Sequence, residues 1–155
     1  MGNGATPQQR WKILIVEDHP VIRAAYTRLL NSEPDLEVCG EATTGDQALE
    51  LLATTRPHLV VIDISLPGMN GLEVLKRLKA SYPDLPILVV SGHEESIYAK
   101  QALQAGARGY LDKAGLADVM IEAVQLVLQG KFYISREIYA RLQKSDRTLL
   151  ATLDI

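Results

Sequence analysis

Short apolar runs alternate with helical patterns along most of this chain. Five runs rich in Val, Ile and Leu predict strands at about 12–16, 36–42, 58–63, 86–91 and 108–111. Apolar residues at helical spacing predict helices between them, near 20–30, after 44, and at about 71–81, 95–105 and 116–129. Strict alternation of strand and helix predicts a doubly wound α/β domain, with a parallel sheet covered by helices on both faces.

Several predicted helices carry typical boundary residues. Pro20 suits the opening turn of the first helix. Thr44 and Gln47 have the spacing of a capping box at the start of the second. Gly106 and Gly130 follow the fourth and fifth helices, where a glycine commonly ends a helix.

The segment after Gly130 departs from the alternation. Ile138, Tyr139 and Leu142 predict a short helix, and the tail at about 143–155 has no predicted packing partner. We therefore divide the chain into a flexible tail at 1–10, a domain at 11–130 and a linker or helical extension at 131–155.

The fifth predicted helix is apolar except for one narrow stripe. Its polar residues stand at positions 118, 122, 125 and 129. A helix on one sheet face needs only one apolar side, so the excess predicts a second surface covered by a partner or by the C-terminal segment. The alternative is a helix that lies deeper in the fold.

Composition narrows the class of protein. The 155 residues are 47% hydrophobic and 23% charged, which fits one folded domain. A net charge of −3 gives no general footprint for nucleic acid or an anionic membrane. Cys39 is the only cysteine, so an internal disulfide is excluded and a reducing compartment is expected. The chain has no apolar run near the ~20 residues that span a bilayer.

Charged and hydroxyl side chains stand at the ends of four predicted strands. Glu17 and Asp18 follow the first strand, Asp63 ends the third, Ser91 ends the fourth and Lys113 follows the fifth. The carboxyl ends of parallel strands line one edge of the sheet, where ligands bind. A single acidic pair is usually a solvated loop feature, but four strand ends together favour a site.

The chemistry of these side chains points to phosphoryl transfer. Three carboxylates at close quarters require a cation, and oxygen ligands favour Mg²⁺ first, with Mn²⁺ or Ca²⁺ next. Asp63 is the candidate nucleophile. Lys113 would supply positive charge for phosphate oxygens, and Ser91 a hydroxyl donor.

Four ordered motifs resemble the receiver domain of two-component response regulators. They are Val16-Glu17-Asp18-His19-Pro20, Asp63-Ile64-Ser65-Leu66-Pro67-Gly68-Met69-Asn70-Gly71, Val89-Val90-Ser91-Gly92 and Gly106-Ala107-Arg108-Gly109-Tyr110-Leu111-Asp112-Lys113-Ala114. The resemblance covers about residues 11–130 and implies a flavodoxin-like fold with strand order 2-1-3-4-5. The long apolar helix and the segment 129–135 are similar to the NarL/FixJ type, which is LuxR-like.

The resemblance also implies a role for each matching acidic residue. Asp63 matches the phosphoacceptor, which takes a phosphoryl group from the histidine of a sensor kinase or a phosphotransfer protein. Glu17, Asp18 and the backbone carbonyl of Ser65 match the Mg²⁺ ligands, together with Asp63. Glu17 stands where an aspartate is more usual, a departure that keeps the chemistry.

Further roles follow from the same resemblance. Ser91 and Lys113 match the phosphate-binding pair, and Tyr110 matches the aromatic switch residue that moves with Ser91. Ser65 and His93 hold positions that tune phosphoryl lifetime, although a loop histidine without a kinetic role is an equal interpretation of His93. The remaining histidines, at positions 19 and 58, are interpreted as loop and strand-start residues without zinc spacing.

These features together predict a cytoplasmic signalling domain rather than an enzyme. The expected output is transcription through a DNA-binding domain absent from this chain, with homodimerisation on phosphorylation as one route and no direct contact with nucleic acid or membrane. The first alternative is a receiver that acts alone through protein contacts, and a receiver-like scaffold that never becomes phosphorylated is another. A less favoured alternative is a phosphohydrolase with an aspartyl nucleophile. That class of enzyme needs a second acid two residues after the nucleophile, where this chain has Ser65.

Overall fold

A computed structural model describes residues 9–92 and 97–153. The strands are β1 (Trp11–Val16), β2 (Leu36–Ala42), β3 (Leu59–Asp63), β4 (Ile87–Ser91), β5 (Gly109–Asp112) and β6 (Tyr133–Ile134). The helices are α1 (Pro20–Asn31), α2 (Gly45–Thr55), α3 (Gly71–Ser81), α4 (Ala99–Gln104), α5 (Leu116–Leu128), α6 (Arg136–Ser145) and α7 (Arg147–Thr152).

The strands form one parallel sheet in the order β2-β1-β3-β4-β5-β6. The predicted doubly wound fold and the order of its first five strands are confirmed. The sixth strand was not predicted: Tyr133 pairs with Gly109 and Ile134 with Tyr110. Two residues are too few to show a strand periodicity in the sequence. Their pairing with the edge strand β5 is therefore visible only in the folded structure.

Alternate residues of the central strands enter two separate cores. Leu14 and Val16 of β1 belong to the core beneath α2, α3 and α4, whereas Ile13 and Ile15 belong to the core beneath α1 and α5. The side chains of these four residues are at most 1% exposed. Burial on both faces explains why the strands are continuous apolar runs rather than alternating ones.

The helix boundaries follow local hydrogen bonding. The Thr44 hydroxyl accepts a hydrogen bond from the Gln47 N–H, as predicted, but the Gln47 side chain accepts from the N–H of Thr43 instead of Thr44. Helix α4 begins at Ala99, later than predicted, and residues 93–96 lie outside the described part. Within the described residues, no helix combines the length and apolar character that a membrane crossing requires.

The short helix predicted at Ile138, Tyr139 and Leu142 is present as α6, but the prediction that residues 143–155 lack a packing partner is wrong for α7. Four apolar residues of these helices are buried in the same core as α4: Ile138, Leu142, Leu149 and Leu150. At the junction of α6 and α7, Asp146 Oδ2 lies 3.0 Å from Lys100 Nζ, and Asp146 Oδ1 accepts a hydrogen bond from the Leu149 N–H. The short α7 was missed because it presents only one apolar turn.

Helix α5 is deeply packed along much of its surface. Met120, Val124 and Val127 are at most 1% exposed, and Ile121 and Val119 are partly buried against the same core. From the C-terminal segment Tyr133 packs there, whereas α6 and α7 lie on the opposite face of the sheet. The apolar excess of α5 is therefore accommodated largely by depth.

Candidate functional site

The parallel sheet brings the predicted site residues to one edge. Val16 pairs with Ile62 across the neighbouring strands β1 and β3, so Glu17 and Asp63 leave these strands side by side. The backbone N–H of Lys113 donates to the carbonyl of Ser91 over 2.8 Å, which joins the ends of β4 and β5.

An acidic pocket forms where β1 and β3 end. Oxygen atoms of Glu17, Asp18 and Asp63 and a ring nitrogen of His19 lie within 4.8 Å of one another. The side chains of Glu17 and Asp63 are only 1% exposed. Within residues 9–92 and 97–153, the buried atoms Glu17 Oε1 and Asp18 Oδ1 have no hydrogen-bond partner. Unpartnered carboxylate oxygens in a pocket of this size fit the ligand set of a hard divalent cation.

The acidic pocket is electrostatically costly without a cation. Burial, and then the negative charge of Asp63, raises the pKa of Glu17 above its ordinary value. The backbone N–H of His19 donates to Glu17 Oε2 over 3.1 Å and only partly offsets this rise. The folded protein therefore binds a proton or a cation at Glu17 more readily than the unfolded chain does.

Lys113 supplies the positive charge of the pocket. Its Nζ donates to Asp63 Oδ2 over 2.7 Å and lies 3.6 Å from Glu17 Oε1. Burial opposes the ammonium charge, but the hydrogen bond and attraction of Asp63, reinforced by Glu17, outweigh it and raise the pKa of Lys113. Lys113 is therefore a fixed cation in the neutral range of pH.

Ser65 holds the other oxygen of Asp63. The Ser65 N–H and hydroxyl both donate to Asp63 Oδ1, over 3.0 Å and 3.1 Å. The two oxygens of Asp63 are thus oriented from different sides, by Ser65 and by Lys113. The sequence motif placed Ser65 here, but the hydrogen bond from its hydroxyl was not predicted.

The Ser91 hydroxyl is buried and has no hydrogen-bond partner in the part of the chain that the structure describes. Ser91 itself is 0% exposed. A buried hydroxyl without a partner costs about 1–3 kcal/mol, so such groups usually have a reason. Ser91 ends β4, the strand that pairs with β3, where Asp63 lies opposite Val90. Its role as a phosphate-binding residue stays a prediction.

Tyr110 and His93 are the two remaining positions predicted from the sequence, and the structure describes only Tyr110. Tyr110 is 0% exposed and lies in the core that also contains Ile138 and Leu142 of α6. Its carbonyl accepts a hydrogen bond from the Ser135 N–H over 3.0 Å. The role of Tyr110 as a switch stays a prediction. His93 lies outside the described residues.

Three further residues adjoin the site and were not assigned to it from the sequence. His19 Nδ1 lies 3.1 Å from Glu17 Oε2 and 3.4 Å from Asp18 Oδ1. Arg23 Nη1 donates to the Glu17 carbonyl. Burial, then the charges of Glu17 and Asp63, raises the pKa of the Tyr26 hydroxyl. The position of His19 directly after the acid pair was the one available signal.

Comparison with known proteins shows which family this chain resembles. The model of the response regulator receiver domain family matches residues 13–125. The chain is 36% identical over 148 residues to the transcriptional regulatory protein DegU of Brevibacillus brevis, covering 96% of this chain and 63% of that protein. It is 36% identical over 149 residues to the nitrate/nitrite response regulator NarL of Escherichia coli, covering 95% and 68%. The chain thus spans less than two thirds of DegU.

Solved structures share the same architecture. A LuxR-family two-component response regulator from Aurantimonas sp. SI85-9A1 superposes with a TM-score of 0.83 and 31% identity, covering 88% of this chain and 98% of that one. The signal receiver domain of the NarL regulator of Mycobacterium tuberculosis gives a TM-score of 0.74 and 31% identity, covering 80% and 100%.

Proposed function

The chain belongs to the response regulator receiver domain family of two-component systems, in the NarL and LuxR group, and from this premise we propose that Asp63 accepts a phosphoryl group. The donor is the phosphohistidine of a sensor kinase or of a phosphotransfer protein. A carboxylate oxygen of Asp63 attacks phosphorus, the bond from phosphorus to the imidazole nitrogen breaks, and the imidazole leaves with the electron pair. The product is an acyl phosphate.

The surroundings of Asp63 carry the proposal. Its carboxylate is nearly inaccessible to water, yet Ser65 holds one oxygen and Lys113 the other. Phosphoryl transfer depends on positioning and charge neutralisation more than on acid–base chemistry. A nucleophile oriented from two sides, with a lysine beside it, meets that requirement.

Glu17, Asp18, Asp63 and the Ser65 carbonyl would hold Mg²⁺, with Mn²⁺ as the second choice. The donor set is entirely oxygen, and two of its buried atoms, Glu17 Oε1 and Asp18 Oδ1, accept no hydrogen bond from the described residues. When bound, the ion neutralises the carboxylates and the phosphoryl oxygens. This chain's own contribution is to hold the carboxylates together at the sheet edge.

Ser91 and Lys113 make the phosphorylated state structurally different. The phosphoryl oxygens would compete for the Lys113 ammonium and would give the Ser91 hydroxyl its missing acceptor. A ligand shifts an equilibrium only when its contacts differ between the two conformers. Phosphorylation therefore favours the conformer in which both residues reach the phosphate.

We propose that the conformational change on phosphorylation is transmitted to the C-terminal helices α6 and α7. Asp112 follows Leu111 at the end of β5, and its N–H donates to the Ser135 hydroxyl over 2.9 Å. Tyr110 shares a core with α4 and α6. We assign residues 11–130 to the receiver and 131–155 to a helical extension after a tail at 1–10, with Tyr110 as the switch between them.

We propose transcription control as the output. DegU, which this chain resembles, is named a transcriptional regulatory protein, and membership of the receiver family supports a sensor kinase as the proposed upstream partner. In this proposal the phosphorylated domain works in the cytoplasm, homodimerises, and leaves DNA contact to an output domain. Contact between α6 or α7 and another protein is the alternative route.

Two positions are proposed to set the lifetime of the acyl phosphate. Ser65 contacts Asp63 directly, so Ser65→Ala should change the half-life by removing one of two donors to Oδ1. His93→Ala tests the position that follows β4. An unchanged half-life in either variant would remove that residue from the kinetic account.

The test is intact-mass measurement after incubation with a small phosphodonor and Mg²⁺. Wild type should gain one phosphoryl group, and Asp63→Asn should gain none. A chelator should suppress the gain. Absence of any gain in wild type would overturn the proposal, while rapid release of phosphate over many turnovers would favour a phosphohydrolase.

A further inference from the structure

His19 adds a nitrogen atom to a metal pocket otherwise built from oxygen. Its Nδ1 lies 3.1 Å from Glu17 Oε2 and 3.4 Å from Asp18 Oδ1. Adjacent ligands of an octahedral ion at about 2.1 Å lie about 3 Å apart, so these separations match the edges of a single coordination shell. Among the described residues, Glu17 Oε1 and Asp18 Oδ1 are buried and have no hydrogen-bond partner, and both residues belong with His19 and Asp63 to one cluster that could hold a metal ion.

The backbone fixes His19 in this position. His19 precedes Pro20, which restricts the preceding residue to extended conformations, and its ψ of 114° agrees. It also stands at the N-terminal cap of α1, where its carbonyl accepts a hydrogen bond from the Arg23 N–H over 2.9 Å. No hydrogen bond from the His19 side chain caps the helix. The imidazole is therefore available to the pocket rather than needed by α1.

We propose that His19 Nδ1 is an additional ligand of the divalent ion and widens the pocket from Mg²⁺ to borderline ions such as Mn²⁺ and Co²⁺. The inference rests on the proposed function for the identity of the metal pocket. An imidazole suits later first-row ions, whereas Mg²⁺ favours oxygen and keeps several waters. The ring is 58% exposed, and coordination through Nδ1 requires the tautomer that carries its proton on the other ring nitrogen.

Affinity separates a ligand from a hydrogen-bond donor, because the two roles predict opposite effects. If His19 coordinates, His19→Ala should weaken Co²⁺ and Mn²⁺ binding about 10-fold to 100-fold and Mg²⁺ binding less than about threefold. If His19 only donates a hydrogen bond to Glu17, its removal should leave the affinities for Co²⁺, Mn²⁺ and Mg²⁺ unchanged or raise them. His19→Gln retains a donor for Glu17 and should resemble His19→Ala only if coordination is the role.

Electron spin-echo spectroscopy of the Mn²⁺-loaded protein tests coordination directly. The wild type should show modulation from a bound imidazole nitrogen, and His19→Ala should lose it. His58→Gln is the distant control, because His58 Nδ1 accepts from the Lys12 N–H at the other end of the sheet. His93→Ala is the control from the segment after β4. Both controls should keep the signal.

The results separate this inference from the proposed function. Nitrogen modulation that persists in His19→Ala, or disappears in His93→Ala, would overturn the proposed coordination by His19. Neither result would contradict the proposed Mg²⁺ site at Glu17, Asp18 and Asp63. Failure of the wild type to bind Mg²⁺ or Mn²⁺ at all would overturn the metal site itself, and with it the inference.

Discussion

Lys113 Nζ, directly after β5, donates a 2.7 Å hydrogen bond to Asp63 Oδ2 at the end of β3, with β4 between the two strands. The ammonium group thus neutralises the carboxylate that we propose as phosphoacceptor before any phosphate arrives. It also lies 3.6 Å from Glu17 Oε1, so one cation serves two buried acids. The same contact must be exchanged for phosphate oxygens after transfer, which links stability, metal binding and switching.

Removal of the Lys113 charge should destabilise the metal-free protein. Lys113→Met leaves Glu17 and Asp63 buried without their cation, so we expect a loss of about 1–3 kcal/mol in unfolding free energy. Mg²⁺ should recover more stability in this variant than in wild type. Urea unfolding with a chelator or with excess Mg²⁺ measures both quantities.

Lys76→Met is the matched control for Lys113→Met. Lys76 is an exposed residue of α3, so the substitution should change the unfolding free energy by less than about 0.5 kcal/mol. An equal loss in both lysine variants would contradict the assigned role of Lys113.

Glu17 should make the metal-free protein less stable as pH rises. Burial and Asp63 raise its pKa in the folded state, so the folded protein holds a proton that the unfolded chain releases above its ordinary value of 4.5. Stability therefore falls from that pH upward through the raised folded value. Glu17→Gln should flatten this fall in chelator. Identical slopes of unfolding free energy against pH in both proteins would refute the account.

Loss of the Ser91 hydroxyl should separate phosphorylation from switching. Ser91→Ala removes a buried hydroxyl that has no hydrogen-bond partner among the described residues, so the unfolding free energy should be unchanged or should rise by up to about 3 kcal/mol. Phosphoryl gain at Asp63 should persist, but the phosphorylation-dependent change in hydrogen exchange of α6 and α7 should disappear. Ser91→Thr keeps the hydroxyl and should retain the change. A full response in Ser91→Ala would exclude Ser91 from the switch.

Gly71 should tolerate no side chain, because its backbone lies against that of the acceptor. A Cβ at Gly71 would collide with the Asp63 carbonyl oxygen and Ile64 Cα. Neither atom can move away as a flexible side chain could. Gly71→Ala should therefore cost about 1–3 kcal/mol or more and slow phosphoryl gain by displacing Asp63.

Gly68→Ala is the control within the same loop. Gly68 has a φ of 74° and open space around its position, so alanine costs about 1 kcal/mol of backbone strain without touching Asp63. Both unfolding free energy and the rate of phosphoryl gain check the pair. A Gly68→Ala variant as slow as Gly71→Ala would argue that the whole loop, rather than the contact, matters.

Sequence patterns predicted the parts of the fold that repeat over many residues. Strands buried on both faces appear as apolar runs, and the convergence of Glu17 and Asp63 follows from parallel topology. The short elements β6 and α7 were not predicted, because β6 depends on its pairing with β5 and α7 on the core that it shares with α4 and α6. The contact between His19 and Glu17 was not predicted either, because the position of the His19 ring depends on the turn that leads into α1.

Chemical location of the phosphoryl group tests the central claim most directly. Borohydride reduces an acyl phosphate to an alcohol, so treatment of the phosphorylated protein converts the modified aspartate to homoserine. Peptide mass spectrometry should find homoserine at Asp63 in wild type and at no position in Asp63→Asn. Homoserine at Asp18 or Asp112 instead, or at none of the aspartates, would contradict Asp63 as the acceptor.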